Sequence, residues 1–289
     1  MIPTYEGTCR SLTVGLLATA LCAACAAPAA RPVVPAAPVA AVPPAPRCQH
    51  GDRHAVGPHI YVNNQWGRDK VPAGQAYEQC LLARTAGSGL QHGWSFSWPG
   101  HEPSAYAYPE IIYGWTPWGG GDSSDPRFPM PVRDMPPVVL SYEVESAITG
   151  HYNLASEVWL VRTGGDGPAR PGDIAVEIMF WLDYDATMRP AGEVVARPTI
   201  DGVTYDLYEA DVNRPQASWT YLAYKGPAGR LTGALSIDGF VRDAVARGYA
   251  SASHHMAGIE FGNECAGGAG TTWVTRFEVR VGGWPGRRR

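Results

Sequence analysis

The chain has 289 residues, 45% of them hydrophobic and 17% charged, which is enough apolar sequence for one large core or two small ones. The formal net charge is −4 and the only basic cluster is the Arg287–Arg289 tail, so the cationic stripe that nucleic acid requires is missing. Glycine (34), proline (26), tryptophan (10) and tyrosine (14) together favour short strands joined by turns over a helical protein.

The N-terminus reads as an export signal covering residues 1–27. Arg10 precedes an apolar run from Leu12 to Ala27 that is too short for a stable membrane span, and Ala24 and Ala26 offer a peptidase small residues. A lipoprotein anchored through Cys25 is the competing reading. Residues 28–47 hold seven prolines among alanines and valines, the composition of a semi-rigid linker. One folded domain should span 48–281, with 282–289 as a loose, disordered tail.

Export implies an oxidising compartment. Cys9, Cys22 and Cys25 lie in the signal region, so Cys48, Cys80 and Cys265 remain for one disulfide and one leftover thiol. Cys48 and Cys80 flank an apparent strand hairpin and are the expected pair, worth roughly 3–4 kcal/mol on the chain-entropy model. The histidines are scattered and no Cys-x-x-Cys spacing occurs among the domain cysteines Cys48, Cys80 and Cys265, so neither a metal nor a cofactor is expected.

Within the domain the apolar period is mostly two. Pro137–Ser146, Asn153–Arg162, Asp173–Leu182, Val194–Ile200, Val203–Glu209, Ser218–Lys225, His254–Phe261 and Trp273–Val281 read as strands, with Asp201-Gly202 as a two-residue hairpin turn. Ile237, Phe240, Val241, Ala244 and Val245 have helical spacing between Ser236 and Gly248. Many strands and one short helix predict an all-β, two-sheet β-sandwich.

Asp173–Leu182 carries most information. Ile174, Val176, Ile178, Phe180 and Leu182 form one apolar row, and Ala175, Glu177, Met179 and Trp181 the other. An acid between a thioether and an indole suits a sugar cleft, where an aromatic platform meets the apolar face of a pyranose. Glu157 and Trp159 share a face in the same way. If their strand neighbours that of Glu177, the two acids approach and one pKa rises. Glu260 shares a face with Met256, and Gly258 and Gly262 flank it there, leaving space for a substrate. Glu264 has the same parity and remains an alternative. Tyr106, Tyr108, Trp115 and Trp118 serve equally as platform or as packing. Composition and periodicity reach as far as a secreted β-sandwich with an acid-and-aromatic face.

At these residues the sequence resembles glycoside hydrolase family 12, the small endoglucanases and xyloglucanases. The likeness runs from about Cys48 to Val281. It includes Tyr61-Val62-Asn63-Asn64-Gln65-Trp66-Gly67, Ala107-Tyr108-Pro109-Glu110 with Tyr113-Gly114, Ser156-Glu157-Val158-Trp159-Leu160, Glu177-Ile178-Met179-Phe180-Trp181-Leu182 and Ala257-Gly258-Ile259-Glu260. The resemblance implies a concanavalin-like jelly roll with an open cleft for a long glucan. It implies Glu177 as nucleophile, Glu260 as general acid/base, and Glu157 as support for the nucleophile where the family usually has Asp. It further implies Trp66 stacking on a glucosyl unit beside Asn64, Met179 against the sugar at the cleavage point, and the family's disulfide at Cys48 and Cys80. The stretch Asn263–Gly267, with Cys265, is longer than the family's and could reshape the leaving-group side. The expected activity is a monomeric, secreted, retaining endo-β-1,4-glucanase acting on β-glucan polysaccharide. A xyloglucan-specific enzyme and a non-catalytic carbohydrate-binding sandwich are the alternatives.

Overall fold

The computed structural model describes residues 42–100, 105–119, 123–163 and 170–282. The signal segment 1–27 with Cys25, the linker up to residue 41 and the tail from 283 lie outside these residues. Two large antiparallel-dominated sheets make up the sandwich, with a small two-stranded ribbon at 199–200 and 203–204 beside them. The larger has ten strands, in the order 53–56, 59–62, 110–114, 255–265, 152–161, 174–184, 217–225, 206–214, 193–196, with 130–131 pairing beside 255–265. The smaller runs 232–236, 138–149, 268–281, 89–98, 78–86. This is the two-sheet sandwich expected from the strand-rich sequence, in the jelly-roll form that the resemblance implies.

The core lies between the sheets. Val176, Ile178, Phe180 and Leu182 join Leu154, Val158, Leu160, Ile259 and Phe261 from the large sheet and Trp94, Phe96, Leu140, Tyr142 and Val144 from the small one. Period-two burial thus sends one row of each central strand inward and frees the other row for the outer face. The helix, Ile237–Ala246, presents Phe240 to Phe180 at 4.3 Å between ring centroids and edge-on to Tyr205 and Tyr224. The Cys48–Cys80 disulfide ties the start of the domain to the edge strand Glu78–Ala86, and Cys265 is a buried free thiol.

Three local expectations change. The strand expected over 194–200 breaks into Glu193–Ala196 and Thr199–Ile200, because Pro198 has no N–H to give a ladder. The strand expected over 203–209 changes partner at Tyr205, whose ring turns inward against the helix. The Asp201-Gly202 turn forms as read, with φ of 50° and 80° at its two residues. The third change bears on the site. A bulge between Leu160 and Val161 slips the register at the start of the 174–184 strand, so Ile174 joins Trp159 and Trp219 while Ala175 takes the core position.

Candidate active site

On the outer face of the large sheet, the strand Tyr152–Val161 lies between Ile174–Tyr184 and His255–Cys265. Glu157 is directly opposite Glu260 on one side, and Trp159 is directly opposite Glu177 on the other. Glu177 and Glu260 therefore sit two strands apart, offset by two residues along the strand direction. From the ordinary strand spacings their Cα atoms are about 12 Å apart. Both carboxyls line one cavity of about 370 Å³, with Glu157, Glu264, Asn64, Trp66, Tyr108, Trp118, Trp159, Trp219, Arg214 and His50.

Each of the two acids is held by an indole. Trp159 Nε1 donates to Glu260 Oε2 at 3.1 Å, and Trp219 Nε1 donates to Glu177 Oε2. Trp219 is placed by parallel pairing of Ala217–Lys225 with the Glu177 strand, which sets Tyr221 opposite Glu177. Trp118 meets Trp159 and Trp219 edge-on at 5.3 and 5.6 Å, so the three indoles brace one another. At the rim, Trp66 is 37% exposed, with Lys70 Nζ 4.2 Å and the Arg214 guanidinium 5.3 Å from its ring centroid. Asn64 is anchored by its carbonyl, which accepts from Tyr108 N, and its amide donates to Glu110 Oε1 at 3.0 Å.

Gly258 and Gly262 do not open space for a substrate. A Cβ on Gly258 would stand 2.2 Å from Trp115 O, and one on Gly262 would stand 2.2 Å from Pro109 O. These glycines admit the neighbouring 109–115 backbone, which is pressed flat onto the Glu260 strand. Glu260 is consequently only 3% exposed and reaches the cavity at its tip.

Burial pushes the carboxyls of Glu177, Glu260 and Glu264 above the ordinary range, and holds those of Glu110 and Glu157 well above it. So many acids in one cleft cannot all ionise near neutrality, and they titrate as a coupled set. For Glu177, the Trp219 hydrogen bond and the Arg214 charge act against burial. For Glu260, hydrogen bonds from Thr116, Trp159 and Glu110 do the same. The Glu157 carboxyl is raised by burial first and by the Glu177 charge next, and its Oε1 has no hydrogen-bond partner.

The structure brings together Glu177, Glu260, Glu157, Asn64 and Trp66 as expected, and adds Glu264, Trp118 and Tyr108 to the cavity wall. Met179 is beneath that wall, 1% exposed, with its sulfur accepting from the Tyr221 hydroxyl. Of the Asn263–Gly267 stretch only Glu264 faces the cleft. Asn263 and Cys265 turn into the core and the chain reverses directly into the Gly268–Val281 strand, so the stretch is a strand end and not a cleft loop. Trp219, Arg214 and His50 were missed. The signal for Trp219 was present, since it shares strand parity with Tyr221 and Ala223. Nothing local marked Arg214 or His50. In the Trp115–Asp125 loop, residues 120–122 lie outside the described residues, and Trp118 is the part that walls the cavity.

Comparison with known proteins agrees with this geometry. The family model for glycosyl hydrolase family 12 matches residues 57–282, and the chain belongs to that family. It is 25% identical to Endoglucanase S of Pectobacterium parmentieri over 222 residues, covering 76% of this chain and 80% of that one. It is 27% identical over 173 residues to xyloglucan-specific endo-beta-1,4-glucanase A of Aspergillus niger, covering 56% and 61% of the two chains. The native family 12 xyloglucanase from Bacillus licheniformis superposes with a TM-score of 0.73 at 25% identity, over 82% of this chain and all of that one. The chain is therefore a glycoside hydrolase of endoglucanase type.

Proposed function

We propose that this family 12 hydrolase is a secreted, retaining endo-β-1,4-glucanase that cuts internal bonds of cellulose-type or mixed-linkage β-glucan. One observation carries the reading: Glu177 and Glu260 flank the 152–161 strand, face one cleft, and are each fixed by an indole N–H. Retention needs the two carboxyls about 5–5.5 Å apart, and inversion about 6.5–9.5 Å. Two glutamate side chains leaning together across a single intervening strand can close most of a Cα gap of about 12 Å.

In the first step the ionised Glu177 attacks the anomeric carbon while Glu260 gives its proton to the departing glycosidic oxygen, leaving a glycosyl ester on Glu177. In the second step Glu260, now a carboxylate, takes a proton from water, and that water's oxygen displaces Glu177. The Trp219 N–H and the Arg214 charge favour the carboxylate that attack requires. Burial favours the proton that Glu260 must hold beforehand. Glu157, buried beside both, supports the nucleophile as a neutral neighbour. Trp66 and Asn64 bind the glucan chain away from the cleaved bond, and Met179 supports the wall beside Glu177 from beneath. Export rests on the composition of residues 1–27.

Xyloglucan is the competing substrate, since two of the three proteins compared above are xyloglucanases by name. Rates on barley β-glucan, carboxymethyl-cellulose and xyloglucan separate the two. Glu177→Gln and Glu260→Gln should each lower turnover at least a thousandfold. Proton NMR should find the β-anomer released first, and early α-anomer would overturn the retaining assignment. Binding without turnover in wild type and both variants would make the protein a carbohydrate binder.

A further inference from the structure

Glu110 is a fifth carboxyl at the site, and neither step above uses it. It stands in the Glu110–Gly114 strand opposite Gly262, two residues from the position paired with Glu260. The missing side chain of Gly262 lets it lie there, since a Cβ at 262 would come within 3.0 Å of both Glu110 Cα and Cβ. Glu110 is 2% exposed, and its Oε1 accepts from the Asn64 amide. Its Oε2 and Glu260 Oε1 are both buried, and neither has a hydrogen-bond partner among the described residues. A hydrogen bond between these two oxygens would satisfy both, and the Glu260 charge already acts on Glu110. Two carboxylate oxygens can share a hydrogen bond only when one carries a proton.

We infer that Glu110 is a neutral positioning residue whose O–H, oriented by Asn64, donates to Glu260 and holds the acid/base carboxyl in place. The inference rests on Glu260 being the acid/base. With Oε1 turned to Asn64, Oε2 is the oxygen left to carry the proton, and Glu260 is then gripped by Glu110 on one oxygen and Trp159 on the other. The donated bond strengthens as Glu260 releases its proton to the leaving oxygen, because the carboxylate that forms is the better acceptor. Glu110 thereby makes Glu260 a stronger acid in the first step and steadies the base needed in the second. The surroundings agree: burial is the main cause raising Glu110, the Glu260 charge adds to it, and Arg53 is the one cation acting on both. The other charged or titratable groups facing the pair are Glu157 and Glu177 from the neighbouring strands, Glu264 on the Glu260 strand and the Tyr108 hydroxyl.

The test is the pH dependence of kcat/KM for wild type, Glu110→Ala and Glu110→Gln. It is measured on β-glucan and on an aryl cellobioside with a good leaving group, with Tm recorded for each protein. Loss of one charge-assisted donor should move the basic limb of Glu110→Ala up by about one pH unit. It should also slow β-glucan at least tenfold more than the aryl substrate, which needs no proton. Glutamine keeps a neutral donor and an acceptor for Asn64, so Glu110→Gln should bring the limb back to the wild-type position. A merely structural role would lower Tm without moving the limb. A limb that falls in Glu110→Gln would mean an ionised Glu110 and overturn the inference, as would an unmoved limb in Glu110→Ala. If the alanine variant does not fold, the glutamine limb decides alone. Failure of the underlying reading looks different: Glu260→Ala would then keep its activity on β-glucan. If it instead loses that activity and azide restores turnover of the aryl substrate, the assignment of Glu260 stands.

Discussion

Replacing Asn263 with Ala should destabilise the sandwich by about 3–5 kcal/mol, because this side chain is a polar bolt between the sheets. It is fully buried on the large sheet, and its Oδ1 accepts at 2.8 Å from both Trp94 Nε1 and Thr272 Oγ1 of the small one. Its Nδ2 donates to Asn153 O at 2.9 Å within the large sheet. Thr272 keeps Ser146 as a partner at 3.3 Å, but the indole N–H of Trp94 loses its acceptor in a site without exposure. An unsatisfied buried donor costs about 1–3 kcal/mol and the two other lost bonds about 1 kcal/mol each. For a domain of this size the sum is a drop in Tm of about 10 °C. Calorimetry reads it directly, and urea unfolding with an unchanged m-value attributes it to the native state. A cost below about 1 kcal/mol would refute the bolt. A second arm adds Trp94→Phe, which removes the donor and leaves the ring. If the bond is the cause, the double variant costs less than the sum of the singles, and strict additivity would show that packing was responsible.

Trp219→Phe keeps a ring against Trp118 but removes the N–H given to Glu177, so the Glu177 pKa rises and the acidic limb of kcat/KM should move up by about one pH unit. An unchanged acidic limb would mean that Glu177 is not the group whose ionisation gates attack. Glu157→Gln should lower activity yet raise Tm in a pH-dependent way. Glutamate in the unfolded chain ionises near pH 4.3, as an order-of-magnitude reference, and burial lifts folded Glu157 well above that. Through Glu157 wild type therefore loses stability as pH rises from the unfolded value toward the folded one, and the glutamine variant lacks that contribution. The Tm gap should be near zero at pH 4 and widen toward neutrality; a constant gap would refute the linkage.

The parts of the fold that were legible are the strands whose two faces differ. Asn153–Arg162, Asp173–Leu182 and His254–Phe261 each read as a strand because one row meets the inter-sheet core and the other does not. The Glu78–Ala86 and Gly89–Trp98 strands at the edge of the small sheet were not read, although in the second Trp94, Phe96 and Trp98 alternate with Ser95 and Ser97 and are buried. Their inward positions include polar groups satisfied by one another: Gln79 Nε2 donates to Asn63 Oδ1 and Trp98 Nε1 donates to Gln79 Oε1. A buried polar network costs little when complete, yet at Gln79 it interrupts the apolar alternation by which a strand is read. The strands at 53–56 and 59–62 form the hairpin expected between Cys48 and Cys80, though each is too short for a period of its own to emerge.

The site divides along the same line between local and non-local information. Parity along one strand places Glu177, Glu157 and Glu260 on outward rows, and the folded register confirms those faces. What parity does not carry is which strands are neighbours, and the chemistry depends on that. Trp219 touches Glu177 only because its strand pairs in parallel with the Glu177 strand, a crossover with no signature in either segment. Gly258 and Gly262 failed as signals for a related reason. Read alone, a glycine on the acid's own face looks like room for a sugar. In the fold that room is filled by the next strand, and what the glycines position is Glu110 against Glu260. A missing side chain on a central strand therefore points first to a neighbouring backbone, and to a ligand only where no strand lies alongside.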